Sequence, residues 1–321
     1  MKYPTLADTV GAYSSHFSGV FQSIELAAPE LSVLPVQTIP GRKMEFSLQK
    51  AGVTGFRGTN EGVSGNAGKF EPYEVNTYIL DASIAFDKSV IGDFPGGVNA
   101  YAAKQLANSL RSRGEAFSTQ FYWGLTGNTL GADKGFKGLA ELVDPSMVYK
   151  FGTATTGRSA FLVSVSQNPC ADSGVCVILG NNGLPQVSEG GLKEAWLYDE
   201  NRKGFNGYSL EFVMYVGLYA PEPALTIVEM QGLGGNAVDG LLTVRTLAEA
   251  KQFFKASSKP THLFCSPEDK ANLDLSISER IIVDKKTVIL GVHHEYEDFM
   301  GMQIVVSDTL SQMRTVPAIT A

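Results

Sequence analysis

The tract 52–68 is the strongest constraint on what this chain can fold into. It holds Gly52, Gly55, Gly58, Gly62, Gly65 and Gly68, and its larger apolar side chains are only Val53, Phe56 and Val63. Such a tract cannot close a core of its own, and a loop of about twenty residues is normally functional or ordered by something else. Two runs with strand character, 43–49 and 74–86, flank it, so the pattern predicts a long β-hairpin whose polar, glycine-rich tip leans on a partner surface. In the returning arm the alternation runs Val75, Thr77, Ile79 and then Ala82, Ile84, Phe86. The slip near Leu80 predicts a bulge.

After the hairpin the period changes. Apolar residues fall at 98, 102, 106, 110, 117 and 121 among Lys104, Arg111, Arg113 and Glu115, which predicts one helix over 98–123, roughly 39 Å long at 1.5 Å per residue. Compact enzymes are built mostly from helices of about three or four turns, so so long a helix beside so long a hairpin points away from one. Before the hairpin, Leu6, Val10, Tyr13, Phe17, Val20, Phe21 and Ile24 predict an amphipathic helix over 5–28. Pro29, Pro35 and Pro40 then predict an extended connector over 31–39 that contains no helix.

Beyond 123 short β-rich runs dominate, at 159–166, 176–179, 195–198, 208–220 and 225–230. The run 208–220 is the strongest strand, with Leu210, Phe212, Met214, Val216 and Leu218 on one face. A helix over 245–254, a strand over 261–265, a helix with Ser266 as N-cap and Pro267 at N1, and closing strands at 280–290 and 302–306 complete the reading. The class is α+β with segregated elements.

Composition narrows the function. The 34 glycines in 321 residues exceed the usual share of roughly 7%, so backbone shape is specified at many loops. An apolar fraction of 44% excludes disorder although only 18% of residues are charged. A net charge of −7 argues against tight, non-specific phosphate binding as the main task. No run approaches the roughly 18 apolar residues of a membrane span, and Met1, Lys2, Tyr3 and Pro4 do not open a signal peptide, so a cytosolic chain is expected. Cys170 and Cys176 are close enough in sequence to close a small loop, Cys265 is left over, and reduced thiols are the simpler reading.

Two glycine motifs invite a phosphate reading. The segment 152–159 nearly spells a P-loop, but Arg158 replaces the lysine and a strand-like run follows where a helix is required. The segment from Gly232 to Ala237 matches G-x-G-x-x-A, but the strand that follows has no acidic end to hold a ribose, so a loop between domains is the better reading. His293, His294, Glu295, Glu297 and Asp298 are dense in metal-capable groups, but neighbours on a strand diverge and helical ligand spacing is absent, which favours a solvated loop. There is no G-x-S-x-G elbow. No catalytic, cofactor-binding or metal residue is assigned and no cofactor is expected.

The tract Gly55-Phe56-Arg57-Gly58-Thr59-Asn60-Glu61-Gly62, behind a strand that starts at Arg42, resembles the hairpin of tailed-phage major capsid proteins with the Hong Kong 97-like fold. The likeness continues in order through the helix 98–123, Phe136-Lys137-Gly138-Leu139, the runs 159–165, 208–218 and 225–230, Lys259-Pro260-Thr261, Met300-Gly301-Met302 and Ser307-Asp308. Met300-Gly301-Met302 stands where the family tends to have Tyr-x-Gly-Ile-Pro, and Glu229 where an arginine is common.

The resemblance implies an α+β fold with an N-terminal arm (1–41), an extended hairpin loop, the E-loop (42–86), a spine helix with part of a peripheral domain (87–149), a sheet-rich region of the peripheral and axial domains (150–231), and an axial domain with closing strands (232–321). It implies a structural protein of the virion that assembles, in the host cytoplasm, into hexamers and pentamers of an icosahedral shell around double-stranded DNA. No sequence-specific DNA contact and no membrane are expected. Portal and scaffolding proteins are the expected partners, the scaffold because little sequence precedes the hairpin, and a decoration or cement protein is a further one. At the hairpin tip, Arg57 and Glu61 are the expected inter-subunit charges, Phe56 the apolar anchor and Asn60 their neighbour. The rival readings are a nucleotide- or dinucleotide-binding enzyme using Gly232 to Ala237 and a virion decoration or tube protein.

Overall fold

The computed structural model describes residues 28–50, 59, 69–91, 94–127, 134–151, 154–165, 174–187, 192–235, 240–255, 258–281, 298–299 and 301–315. One helical turn, Glu30–Val33 (α1), precedes strand Val36–Thr38 (β1). Strands Lys43–Lys50 (β2), Lys69–Asn76 (β3), Tyr78–Asp81 (β4) and Ile84–Asp87 (β5) lead to the long helix Gly97–Gly127 (α2). The turn Leu139–Leu142 (α3) is followed by Val148–Lys150 (β6), Thr156–Val163 (β7), Cys176–Leu179 (β8), Gln186–Val187 (β9), Lys193–Tyr198 (β10), Gly204–Leu210 (β11) and Phe212–Tyr219 (β12). Pro223–Thr226 (α4), Ile227–Leu233 (β13), Val244–Lys251 (α5), His262–Cys265 (β14), Pro267–Ile281 (α6), Asp298–Phe299 (β15), Met302–Val306 (β16) and Arg314–Thr315 (β17) complete the chain.

The largest sheet among the described residues runs β15-β16-β14-β7-β13-β6, with β17 beside β7. Its strands alternate between two cores, with one register shift in β13 between Gln231 and Leu233. Phe161, Val163, Ile227, Phe264 and Val305 point to the α2 side, while Ala160, Leu162, Val228, Met230, Leu263 and Ile304 point to the α5 and α6 side, where Leu247 and Leu273 meet them. A sheet buried on both faces needs runs of apolar residues rather than alternation with polar ones, which is how 160–163 and 302–306 read.

A second sheet runs β1-β8-β12-β4, with β9 beside β12. Val177, Leu179, Phe212, Met214, Val216 and Leu218 face the α2 core. Helix α2 is therefore held between two sheets. Its Leu106, Leu110, Phe117 and Phe121 form the predicted stripe, and Phe121, Tyr122 and Trp123 are buried in succession at 0%, 0% and 2% exposure, the mark of a helix end enclosed all round.

Four readings are corrected. The connector 31–39 contains α1, because Pro29 sits at its N-cap, where the missing N–H costs nothing, and the turn ends at the extended Leu34 before Pro35. The returning arm 74–86 has no bulge near Leu80: it is three strands in three sheets. Likewise 208–220 is two strands, β11 and β12. The partners Val213↔Asp81 and Leu210↔Ile84 keep one register across the junction, so no residue is inserted and the paired strands bend together from one sheet into the three-stranded sheet β10-β11-β5. Ala82 N donates to Phe212 O at 2.8 Å, Phe212 N to Ser83 Oγ at 3.1 Å, and Ser109 Oγ of α2 to Ala82 O at 3.0 Å. Finally, residues 280 and 281 close α6 instead of opening a strand, and the rest of the run 282–290 lies outside the described residues.

Candidate assembly interface

Strands β2 and β3 pair without interruption from Lys43↔Asn76 to Lys50↔Lys69 and form a sheet of their own. A two-stranded hairpin is at best marginally stable in water, so its root must be anchored elsewhere. Phe46 and Val75 are buried with Ile39, Cys176, Ile178 and Tyr219 on the far face of the second sheet. Tyr219 takes Phe46 and Tyr73 edge-on, at centroid separations of 5.0 and 5.5 Å. Tyr73 Oη donates to Ala220 O at 3.2 Å, and burial pushes this phenol upward from 10.0. Arg42 lies over the Tyr215 ring at 4.4 Å and donates to its hydroxyl at 2.5 Å. The distal arm is bare by contrast, with Phe70 66% exposed.

The spine helix ends at a backbone junction. Gly124 adopts φ 64, ψ −144, a conformation reserved for glycine. The Glu141 carboxylate accepts from Leu125 N at 3.1 Å and Gly138 N at 3.4 Å, and Gln120 Nε2 donates to Phe136 O. The chain reversal after the helix is thus closed by side chains rather than by a regular cap.

On the opposite side of α2, Glu30 ties the segment that leads in from the N-terminus to the helix. It is fully buried, and Ser118 Oγ donates to its Oε2 at 2.7 Å. Its Oε1 and the Tyr122 hydroxyl lack a hydrogen-bond partner among the described residues. Burial raises the carboxyl above its ordinary 4.5, partly offset by the Ser118 bond. Since the folded state holds this proton more tightly than the unfolded chain, stability falls as pH rises from 4.5 through the raised value. Glu30→Gln, whose amide keeps the Ser118 bond and offers Tyr122 a donor, is expected to raise the melting temperature at pH 7 by about 2–4 °C and to flatten the decline that the wild-type chain shows as pH rises from 4.5 to 7. Calorimetry at both pH values checks this, and a lower melting temperature for the variant at pH 7 contradicts it.

The two glycine motifs meet each other. A Cβ built on Gly157 would lie 2.5 Å from Gly232 Cα, and one on Gly235 would lie 1.8 Å from Thr156 O, so both segments use glycine for close backbone approach. Arg158, where a P-loop has lysine, makes a bidentate pair with Asp269, Nε to Oδ2 at 3.2 Å and Nη2 to Oδ1 at 2.8 Å. Gly234 closes over the guanidinium, since a Cβ there would meet Nη2 at 2.5 Å. Across β7 and β13, Ser159 Oγ and Gln231 Nε2 donate to Glu229 at 2.8 and 2.9 Å. Burial raises Glu229 above 4.5, while these bonds and the charge of Arg314 lower it.

The overall course of the chain is similar to that of a solved structure. The chain superposes on one from the bacteriophage Epsilon15 structure with a TM-score of 0.52 and 14% identity, covering 88% of each chain. The chain has the Hong Kong 97-like fold. The bacteriophage JBD30 capsid aligns with a TM-score of 0.47 and 14% identity over 94% of this chain and 97% of that one. The holo-SrpI encapsulin complex from Synechococcus elongatus PCC 7942 aligns with a TM-score of 0.40 and 10% identity over 62% and 84%. No protein-family model and no curated protein matches the chain.

Phe56, Arg57, Asn60 and Glu61, the residues expected at the hairpin tip, lie outside the described residues; Thr59 beside them is exposed. The amphipathic segment 5–27, Cys170 and the residues His293, His294, Glu295 and Glu297 also lie outside them. Cys176 and Cys265 are buried, and burial pushes the Cys265 thiol up to about 12, which removes thiolate reactivity at neutral pH. No group of three or more His, Cys, Asp or Glu suited to a metal occurs among the described residues. Sequence reasoning missed Glu30, which looks like an ordinary surface glutamate, and a cavity that Arg113 lines with residues as far apart in the chain as Arg42 and Val216.

Proposed function

We propose that this chain is the major capsid protein of a tailed phage, the subunit that self-assembles into an icosahedral shell around double-stranded DNA. The observation that carries the proposal is the hairpin, rooted in the fold at Phe46 and Val75 yet bare at Phe70, on a Hong Kong 97-like body. An arm that buries its root and exposes its end gains stability by lying across another subunit. Many such moderate contacts sum to a stable shell, whereas a net charge of −7 leaves packaged DNA free of strong attraction to the wall.

In this reading 1–41 is the N-terminal arm, 42–86 the E-loop, 87–149 the spine and part of the peripheral domain, 150–231 the shared sheet region and 232–321 the axial domain. The role is structural, not enzymatic, and the place of action is the virion, after assembly in the host cytoplasm. Further copies are the main partners, with portal and scaffolding proteins and a decoration protein around them. At the tip, Phe56 anchors while Arg57 and Glu61 pair with a neighbouring subunit, beside Asn60.

Electron microscopy of the concentrated protein tests this reading. Polyhedra or hexameric and pentameric capsomers are expected. A monodisperse dimer with saturable NAD binding supports an enzyme that uses Gly232 to Ala237 instead, and open tubes support a tube protein. Arg57→Glu is expected to cut the assembled fraction about tenfold, as like charges at an interface do, with an unchanged circular dichroism spectrum. Undiminished assembly removes Arg57 from the interface.

A further inference from the structure

Between β4 and the middle of α2 the body has a cavity of about 520 Å³ whose lining is cationic at the rim and apolar within. Arg42, Arg113 and Lys134 supply the positive charge, and Phe117 and Leu80 line the apolar part. Asp81, its only carboxylate among the described residues, already accepts from Ser83 N at 2.8 Å. Arg42 is spent on Tyr215. Arg113 adds, after the Ser83 bonds, to the pull that holds Asp81 below 3.8, but its own Nε is buried and has no hydrogen-bond partner among the described residues. A buried guanidinium N–H without an acceptor costs free energy that an incoming carboxylate recovers.

We propose that this cavity receives the hairpin tip of a second copy of the chain, Phe56 entering the apolar part and Glu61 accepting from Arg113. The proposal rests on the shell reading and adds to it the receptor for the tip. Two arguments select this occupant. The tip offers the matching pair of groups, one aromatic and one carboxylate, within a few residues of each other. And the cavity lies at the root of its own hairpin, lined by Arg42 and Thr77, which flank the first pair of the ladder, Lys43↔Asn76. Eight residues of unbroken strand at about 3.3 Å each carry the tip roughly 26 Å away from that root, toward a neighbour.

The test compares the assembled fraction by size exclusion and electron microscopy. Arg113→Glu and Glu61→Arg are each expected to lower it at least about tenfold, without change in circular dichroism, and the double variant Arg113→Glu, Glu61→Arg to restore it. A second readout leaves Arg113 in place: a chain carrying Ala116→Cys and Glu61→Cys is expected to give, on oxidation of its capsomers, a reducible ladder that neither single variant gives. Full assembly of Arg113→Glu, a double variant no better than either single one, or a missing ladder overturns the proposal while the shell reading stands. So does a ladder from Ala116→Cys with Asp8→Cys in place of Glu61→Cys, since the N-terminal segment is then the occupant. A wild-type chain that never forms capsomers fails the shell reading itself.

Discussion

Asp269→Ala is expected to remove about 3–5 kcal/mol of stability, the cost of breaking a buried ion pair by deleting one partner. The Arg158 side chain is 6% exposed and that of Asp269 is wholly buried. Without the carboxylate the guanidinium keeps only Glu268, at 2.5 Å from Nη1, whose side chain is 66% exposed and whose charge is largely screened by water. Three bonds fail at once: both arms of the bidentate pair and the 2.6 Å bond that Ser266 Oγ donates to Asp269 Oδ2. Gly234, pressed against the guanidinium, leaves Arg158 no way out to solvent without moving the β13 turn. For a chain of this size the melting temperature is expected to fall by roughly 10 °C, read by circular dichroism, while Glu268→Gln changes it by less than about 1 kcal/mol equivalent. Equal, small effects of the two variants refute the assignment of Arg158 as a buried structural cation.

That pair shows what a sequence motif can and cannot say. The reading of 152–159 rejected a phosphate loop because Arg158 stands for lysine and a strand follows, and both facts reappear as structure: Arg158 lies in β7 and pairs with Asp269. What the sequence did not show is that the second glycine motif is its counterpart. Gly157 and Gly232 are far apart in the chain, and only the antiparallel pairing of β7 with β13 brings them into contact.

Legibility followed the range of the forces involved. Local periodicity carried the spine helix, the base of the hairpin and the common face of β11 and β12, where Leu210, Phe212, Met214, Val216 and Leu218 all enter one core. It failed at the joint bend near Ala82 and Glu211, because the register, and with it the alternation, passes through the bend unchanged. A pattern of period two cannot report which sheet a strand has joined. It also failed at α1, since four residues are too few for a helical period. The cavity beside Arg113 was not legible, because Arg113 reads as one more cation on the polar side of a helix until the fold sets it beside β4.

Gly138→Val is expected to cost still more than a usual overpacking substitution, which removes about 1–3 kcal/mol. The φ of Gly138 is −82°, open to any residue, so the requirement is space alone. A Cβ at Gly138 would lie 2.2 Å from Gly124 N and 2.7 Å from Gln120 O, and both are backbone atoms that cannot turn aside as a side chain can. Relief requires the chain reversal to separate from the end of α2. That breaks the Glu141 bonds to Leu125 N and Gly138 N and withdraws Phe136 and Leu139, 8% and 0% exposed, from the core they share with Phe117. The damage is visible at one residue. Trp123 is 2% exposed and stands next to Gly124, while Trp196 is already 58% exposed, so a red shift in tryptophan emission reports on Trp123. Gly138→Ala, which adds the clashing atom alone, is expected to show the same shift to a lesser degree, and unchanged emission with an unchanged melting temperature in both variants rules out the junction as the clamp on the spine helix.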